Sequence, residues 1–181
     1  MRFLVYSVFM NTTKYCITFA GAVGSSKTPI SNYLSTKLWL PIFNNDAIRS
    51  EVIEDFWFLN SDEHIKRLNA RLDGILKNSV SFICDLSIDR EWKSLKEMLI
   101  NNNYQYFIIS INLSKDLLSK LYKAKWYNES LEKIDTLLKD HESFLDTYKE
   151  DIWLNIYDTE FIDRLMISYN KTKDWINGLN D

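Results

Sequence analysis

The sequence predicts an α/β fold in which three layers, α/β/α, are built around a five-stranded parallel sheet. Five short runs of β-forming residues alternate with segments whose apolar residues recur at helical spacing. One run, residues 104–111, is almost continuously apolar, which is typical of a strand buried on both faces. Alternation of this kind places parallel strands in the middle layer and helices on both sides.

The elements follow one another along the chain in a regular order. The first strand begins at Tyr15, and later strands are predicted over residues 38–43, 80–85, 104–111 and 152–157. Pro41 in the second run indicates an edge position or a break. Helices are predicted over residues 30–38, 47–58, 61–76, 89–100, from 114 onwards, 130–148 and 161–178.

The composition is typical of one folded domain. The 181 residues are 46% hydrophobic and 26% charged, and no internal repeat or linker interrupts them. We assign residues 15–181 to a single domain and residues 1–14 to an N-terminal extension. Polar residues 11–14 interrupt the apolar run of this extension, which favours an extra strand or a dispensable leader over a signal peptide.

Charge and cysteine usage narrow the class of function. The net charge of −3 gives no bulk attraction to nucleic acid or to an anionic membrane. No run reaches the roughly 18 apolar residues of a membrane span. Cys16 and Cys84 lie in apolar strand-like runs, which predicts buried free thiols in a reducing compartment, the cytoplasm.

The first strand opens into a loop that carries two of the chain's four glycines. We call this segment the glycine loop, and it consists of Gly21, Ala22, Val23, Gly24, Ser25, Ser26, Lys27 and Thr28. A strand, a glycine loop, Lys-Thr and a helix in this order predict a cradle for phosphate groups. Backbone N–H groups and the helix N-terminus attract the phosphate, Lys27 adds positive charge, and the Thr28 hydroxyl holds Mg²⁺.

One position of the glycine loop departs from the common pattern G-x-x-x-x-G-K-[ST], which has glycine where this chain has Ser26. If the position needs a positive φ, serine costs on the order of 1 kcal/mol there. Nucleotide binding would then weaken about tenfold. A hydrogen bond from the Ser26 hydroxyl to a phosphate oxygen would recover part of this loss.

Polar residues follow the second and third strands, where ligands of such sheets bind. Asp46 and Arg49 stand at i and i+3, so they share a helix face that is expected to point at the glycine loop. In the alternative interpretation Asp46 caps its helix and Arg49 is its surface ion-pair partner. Asp85 ends the third strand, and its position fits a carboxylate beside Mg²⁺, an acceptor contact or a helix cap.

This order of pieces resembles the P-loop kinases, in particular the group of polynucleotide kinases and zeta-toxin-like kinases. The resemblance spans residues 15–157 and rests on the glycine loop, on Asp46-x-x-Arg49 and on the strand that ends in Asp85. It implies a P-loop NTPase architecture with ATP and Mg²⁺ as cofactors. It also implies that Lys27 contacts the β- and γ-phosphates, that Thr28 binds Mg²⁺, that Asp46 accepts the acceptor's proton and that Arg49 anchors the acceptor.

The resemblance further implies a helical lid, which we place around residues 113–130. Members of the group typically carry arginines there, whereas this segment offers Lys115, Lys120, Lys123 and Lys125. We expect Lys120 or Lys123 to reach the phosphates; the alternative is a solvated lysine face on an ordinary helix.

The two histidines are expected to lie outside the site. His141 falls on the apolar face of its helix, which is typical of a hydrogen-bonded core histidine. His64 is expected at the surface.

These residues predict a kinase that uses ATP and Mg²⁺ to phosphorylate a hydroxyl acceptor. A small molecule or nucleoside suits the acidic chain better than a nucleic-acid 5′-hydroxyl, which would need a locally basic groove. The alternative is a non-catalytic nucleotide-binding protein, suggested by Ser26 and by the lack of lid arginines. A switch-type NTPase ranks lower because its guanine-selecting Asn-Lys-x-Asp is absent.

Overall fold

A computed structural model of the chain describes residues 13–179. Nearly all of the predicted extension, residues 1–12, therefore lies outside the described residues. Five parallel strands form one sheet in the order β2-β3-β1-β4-β5. They are β1 (Tyr15–Ala20), β2 (Ile42–Asn44), β3 (Phe82–Ser87), β4 (Gln105–Asn112) and β5 (Ile152–Tyr157).

Helices follow the strands and cover both faces of the sheet. They are α1 (Lys27–Leu38), α2 (Asn45–Phe56), α3 (Ser61–Lys77), α4 (Trp92–Asn101), α5 (Lys115–Ala124), α6 (Asn128–Glu132), α7 (Ile134–Tyr148) and α8 (Arg164–Gly178). The predicted fold class, a three-layer sandwich around a five-stranded parallel sheet, is confirmed.

The central strand β1 divides the core in two. Its alternate residues point to opposite faces of the sheet, so Ile17 and Phe19 join one apolar cluster and Cys16 and Ala20 join the other. The first cluster includes residues of α1, α5 and α7, and the second includes residues of α3, α4 and α7. Burial of β1 on both faces fixes the position of the glycine loop at the middle of the sheet's carboxyl edge.

Several predicted boundaries differ from the structure by a few residues; α4, for example, begins at Trp92 instead of residue 89. The second strand begins only at Ile42, because α1 runs to Leu38 and the chain then turns through Trp39 at a φ of 56°. Its edge position agrees with Pro41. The third strand continues past Asp85 to Ser87, because Ser87 still pairs with Phe19 of β1. The helix predicted over residues 130–148 is divided into α6 and α7.

The cysteines and helices agree with two further expectations. Cys16 and Cys84 are buried free thiols, as predicted. Within residues 13–179 no helix is long and apolar enough to cross a bilayer.

Candidate active site

The glycine loop connects β1 to α1 through three residues with positive φ. These are Gly21 at 131°, Gly24 at 75° and Ser26 at 84°. A Cβ on Gly24 would lie 2.9 Å from Cε1 of Tyr122, so both the backbone conformation and the space favour glycine there. Ser26 does stand in the left-handed region, which confirms that this position uses a positive φ.

Ser26 has a partner that the sequence did not reveal. Its Oγ accepts a hydrogen bond of 2.9 Å from Nε of Arg164, the first residue of α8. Arg164 also donates Nη1 to the carbonyl of Phe161 at 2.7 Å and lies over its ring. The two partners are 138 residues apart in the chain, and no local pattern marks such a pair. The Ser26 hydroxyl is thereby tied to α8.

Lys27 turns its ammonium group into the loop. Nζ donates to the carbonyl oxygens of Gly21 and Ala22 at 2.6 and 2.7 Å, and among residues 13–179 it forms no ion pair. Burial lowers the pKa of Lys27 to about 8, although the charges of Asp89 and Asp85 act in the opposite direction. The ammonium group, held by two loop carbonyls and by Oγ of Ser25 at 3.5 Å, fits an anionic ligand such as a polyphosphate.

The segment predicted as a lid contacts the tip of the glycine loop through α5. The Tyr122 hydroxyl donates to the carbonyl of Val23 at 2.6 Å, and Nζ of Lys125 donates to that of Gly24 at 2.9 Å. Burial and the nearby charge of Arg164 lower the pKa of Lys125.

Of the four lysines considered in this segment, Lys125 is the one that the structure brings to the glycine loop. Lys120 and Lys123 are exposed and do not line the adjoining cleft. They lie on the solvent face of α5, whose opposite face buries Leu118 and Tyr122.

Two predicted residues meet beside the start of α1. The Thr28 side chain lies beside the Asp85 carboxylate and lowers its pKa, and this carboxylate accepts a hydrogen bond from Nδ2 of Asn44 at 3.3 Å. Burial raises the pKa of Asp85, and the Thr28 side chain and the charge of Lys27 offset part of this rise. A hydroxyl and a carboxylate side by side provide oxygen ligands of the kind that Mg²⁺ takes in nucleotide sites. Asp85 does not cap a helix, since it lies within β3.

Of the predicted pair Asp46 and Arg49, Asp46 lines the cleft and Arg49 does not. Asp46 lies in the first turn of α2 and lines the same cleft as Lys27, Thr28 and Asp85. It does not cap α2, because the side chain of Asn44 accepts the hydrogen bond from Ala47. Arg49 is exposed and does not line the cleft, and among the described residues it has no ion-pair partner.

The cleft has a volume of about 780 Å³ and runs from the glycine loop to the space between α3 and α4. Leu68 and Leu72 of α3 and Leu95 and Met98 of α4 line its far part. His64 also lines it, half-buried, with Nε2 2.9 Å from Oδ1 of Asn45. The expectation that His64 lies at the surface is therefore wrong, because packing of α3 beside α2 turns it inward.

Comparisons with known proteins bear on the fold. No protein-family model matches the sequence, and no curated protein matches it. A gluconokinase from Sinorhizobium meliloti 1021 superposes with a TM-score of 0.63 at 13% identity, covering 91% of this chain and 95% of that one. A shikimate kinase from Bacteroides thetaiotaomicron gives 0.57 at 15% identity, covering 90% and 98%. The deoxyadenosine kinase from M. mycoides gives 0.55 at 20% identity, covering 88% and 99%.

The chain has the P-loop kinase fold. Its glycine loop stands where the sequence pattern predicts, between the central strand and α1. The narrower resemblance to polynucleotide kinases and zeta-toxin-like kinases stays a prediction.

A buried polar network lies directly under the glycine loop of this kinase fold. Asp89 accepts from the backbone N–H of Gly21 at 2.9 Å and from the Ser87 hydroxyl at 2.7 Å, and its Oδ1 lies 2.5 Å from Nδ1 of His141. Burial by itself would raise the pKa of Asp89, but the hydrogen bonds from His141, Ser87 and Gly21 outweigh it and lower the pKa to about 2. Asp89 therefore carries a buried negative charge that fixes the first glycine of the loop.

His141 completes this network from α7. Its Nε2 lies 2.5 Å from Oδ1 of Asn112, whose Nδ2 donates to Oδ1 of Asn155. Both ring nitrogens thus have a hydrogen-bond partner, Nδ1 at the Asp89 carboxylate and Nε2 at the Asn112 side chain. His141 is buried, as predicted for a core histidine, and through Asp89 it supports the glycine loop.

Proposed function

We propose that this chain is an ATP- and Mg²⁺-dependent kinase that moves the γ-phosphate to a hydroxyl acceptor. The observation that carries the proposal is one cleft, lined on one side by Lys27 and Thr28 and on the other by Asp46, with Asp85 between them. The shared fold with small-molecule and nucleoside kinases supports it at the level of the fold.

Each residue of the cleft would have a separate role in phosphoryl transfer, a reaction that depends on positioning the reactants and on neutralising their charge. Lys27 and the N–H groups of the glycine loop would hold the phosphates, and Lys125 lies close enough to add charge. Thr28 and Asp85 would hold Mg²⁺. Asp46 would orient the acceptor hydroxyl and accept its proton. ATP supplies the phosphoryl group when it is bound.

We further propose that residues 15–181 act as one kinase domain and that residues 113–130 form its lid. Contacts of Tyr122 and Lys125 with the glycine loop support the lid assignment. The buried free thiols of Cys16 and Cys84 support work in a reducing compartment, the cytoplasm.

The first test separates binding from turnover. ATP and ADP are titrated by calorimetry in the presence of Mg²⁺, and ADP formation is then measured with a panel of alcohols and nucleosides. Asp46→Asn should keep ATP affinity within about threefold and lower turnover by about 100-fold or more, because only the proton acceptor is lost. Asp62→Asn, which removes an exposed carboxylate outside the cleft, is the matched control. Failure to bind either nucleotide would contradict the proposal.

A second candidate function is a nucleotide-binding protein without turnover. It is favoured by the positions of Arg49, Lys120 and Lys123, which all lie outside the cleft. ATP binding that persists without turnover over the whole acceptor panel, in wild type and Asp46→Asn alike, would select this candidate.

A further inference from the structure

The part of the cleft that faces away from the glycine loop has an unusual balance of charge. We call it the acceptor chamber, the space between α3 and α4 beyond Asp46. Asp46, Asp85 and Glu91 line the cleft, all three carboxylates. Among residues 13–179, the lysines that line it are Lys27 and Lys125, both at the glycine loop, and no arginine lines it.

The two arginines of α3, the helix that forms one wall of the chamber, are engaged in ion pairs. Arg67 of α3 pairs with Asp55 at 2.7 Å and with Glu63 at 2.9 Å. Arg71, also of α3, pairs with Glu51 of α2. The pairs with Asp55 and Glu51 join α3 to α2, and the pair with Glu63 lies within α3. Neither guanidinium lines the cleft, and a bidentate contact with an acidic group in the chamber would compete with these pairs.

The walls of the chamber are largely apolar. Leu68 and Leu72 from α3 face the chamber from one side and Leu95 and Met98 from α4 from the other. Neutral polar side chains such as Asn69 also line the cleft. They can orient a ligand by hydrogen bonds. An apolar wall of this kind favours a ligand with a ring or a hydrocarbon body.

We infer that the acceptor is an alcohol with an apolar body and no negative charge. The inference rests on the proposed kinase function and specifies its substrate class. An acceptor with a carboxylate or phosphate group would place that group beside Asp46 and Glu91, where no lysine or arginine of the described part of the chain lines the chamber; the like charges repel, and the apolar wall strips water from the charged group. A nucleic-acid 5′-end, which is polyanionic, is disfavoured for the same reason.

The test uses three benzyl alcohols that differ only in the para substituent: carboxylate, carboxamide and aminomethyl. Their binding to the chain loaded with ADP and Mg²⁺ is measured by ligand-observed NMR, and their phosphorylation by ATP is followed by ³¹P NMR. The carboxylate should bind at least about tenfold more weakly than the carboxamide. The aminomethyl compound should bind as well as the carboxamide or better.

A variant that adds a positive charge tests whether the acceptor binds in the chamber. Asn69→Arg places a guanidinium at the chamber wall and should raise the affinity for the carboxylate about tenfold. Asn170→Arg adds the same charge on an exposed position of α8 that does not line the cleft, and should leave the order of the three probes unchanged. Circular dichroism verifies that both variants are folded.

The outcomes separate this inference from the proposed function. Equal or tighter binding of the carboxylate, binding of none of the three probes, preferential phosphorylation of an oligonucleotide, or a folded Asn69→Arg without effect would each overturn the inference. If ATP binds and turnover depends on Asp46, these results leave the proposed function standing. If ATP itself does not bind, the proposed function fails and the inference fails with it.

Discussion

The hydrogen bond between Ser26 and Arg164 leads to a quantitative prediction about stability. Ser26→Gly removes two effects of opposite sign. Relief of the left-handed backbone, at a φ of 84°, should stabilise the fold by about 1 kcal/mol. Loss of the Oγ acceptor breaks a hydrogen bond from a charged group, which contributes about 1.5 kcal/mol, the lower end of the usual range because Arg164 is half-exposed.

The two effects can be separated by a double-mutant cycle with Arg164→Met. In the wild-type background Ser26→Gly should destabilise the fold by about 0.5 kcal/mol, the difference between the two terms above. In the Arg164→Met background the hydrogen bond is already gone, so the same change should stabilise by about 1 kcal/mol. Arg164→Met removes the contacts with Phe161 whether residue 26 is serine or glycine, so their loss cancels in the cycle. The expected coupling energy is therefore about 1.5 kcal/mol.

Urea unfolding followed by circular dichroism measures the four free energies of unfolding. Ser79→Gly is the control, because Ser79 is an exposed serine with a φ of 56°. Its Oγ accepts a hydrogen bond of 3.3 Å from Lys14, so the substitution is made in a Lys14→Met background, where the backbone relief is measured without that bond. A coupling energy indistinguishable from zero would refute the argument that Arg164 holds the Ser26 hydroxyl.

The same variants bear on nucleotide affinity. Because Ser26 has its positive φ in the folded loop, where Arg164 donates to its hydroxyl, the strain is a property of the fold and lowers its stability. Ser26→Gly should therefore change the ATP dissociation constant by less than about threefold, instead of the tenfold expected from the sequence. A tenfold gain in affinity would show that the loop rearranges on binding.

Three further predictions concern the loop and its support. Lys27 has a pKa of about 8 and phosphate binds its charged form, so ATP binding above pH 8 should take up a proton and weaken by up to about tenfold per pH unit; calorimetry in two buffers measures both. Asp89→Asn removes the carboxylate that accepts from Gly21 and Ser87 and faces His141, and should destabilise by about 2–3 kcal/mol at neutral pH. Because the pKa of Asp89 lies near 2 and below its usual 3.8, its stabilisation is complete above about pH 4, and about 2 kcal/mol of it is lost as the pH falls through 2. Gly24→Ala should destabilise by about 1–3 kcal/mol through strain and contact with Tyr122, measured by urea unfolding.

Each of these predictions has a control and a contrary result. A pH-independent ATP affinity between pH 7 and 9.5 would contradict the role given to Lys27. Asp62→Asn should shift stability by less than about 0.5 kcal/mol, and an Asp89→Asn variant as stable as that control would contradict the buried network. Gly178→Ala is the control for Gly24, because a Cβ there meets nothing within 4 Å; equal effects of the two would contradict the steric argument.

Sequence reasoning found those features of the fold that depend on neighbouring residues. Strand and helix periodicity predicted the five-stranded parallel sheet, and Pro41 indicated the edge strand. The glycine loop was recognisable because its conformation is encoded in consecutive residues. The sequence raised a positive φ at Ser26 as a condition, and the structure supplies it.

Other parts of the candidate site depend on contacts between distant residues. Arg164 reaches Ser26, and His141 reaches Asp89, only because the sheet brings their helices to one edge. Lys125 reaches the glycine loop and Lys120 does not, because of how α5 packs and where it ends. The sequence shows only four similar lysines in one segment, and it does not indicate which of them contacts the loop.

By itself, then, the sequence determined the order of the layers, the glycine loop and the pairing of that loop with Asp46 across one cleft, because short-range periodicity and strand-end position govern them. Only the tertiary structure decided that Lys125 contacts the loop and that Asp89 accepts a hydrogen bond from Gly21. It also decided that apolar side chains and carboxylates line the acceptor chamber. Those properties arise where side chains from separate elements converge, and their convergence is set by packing that no local pattern specifies.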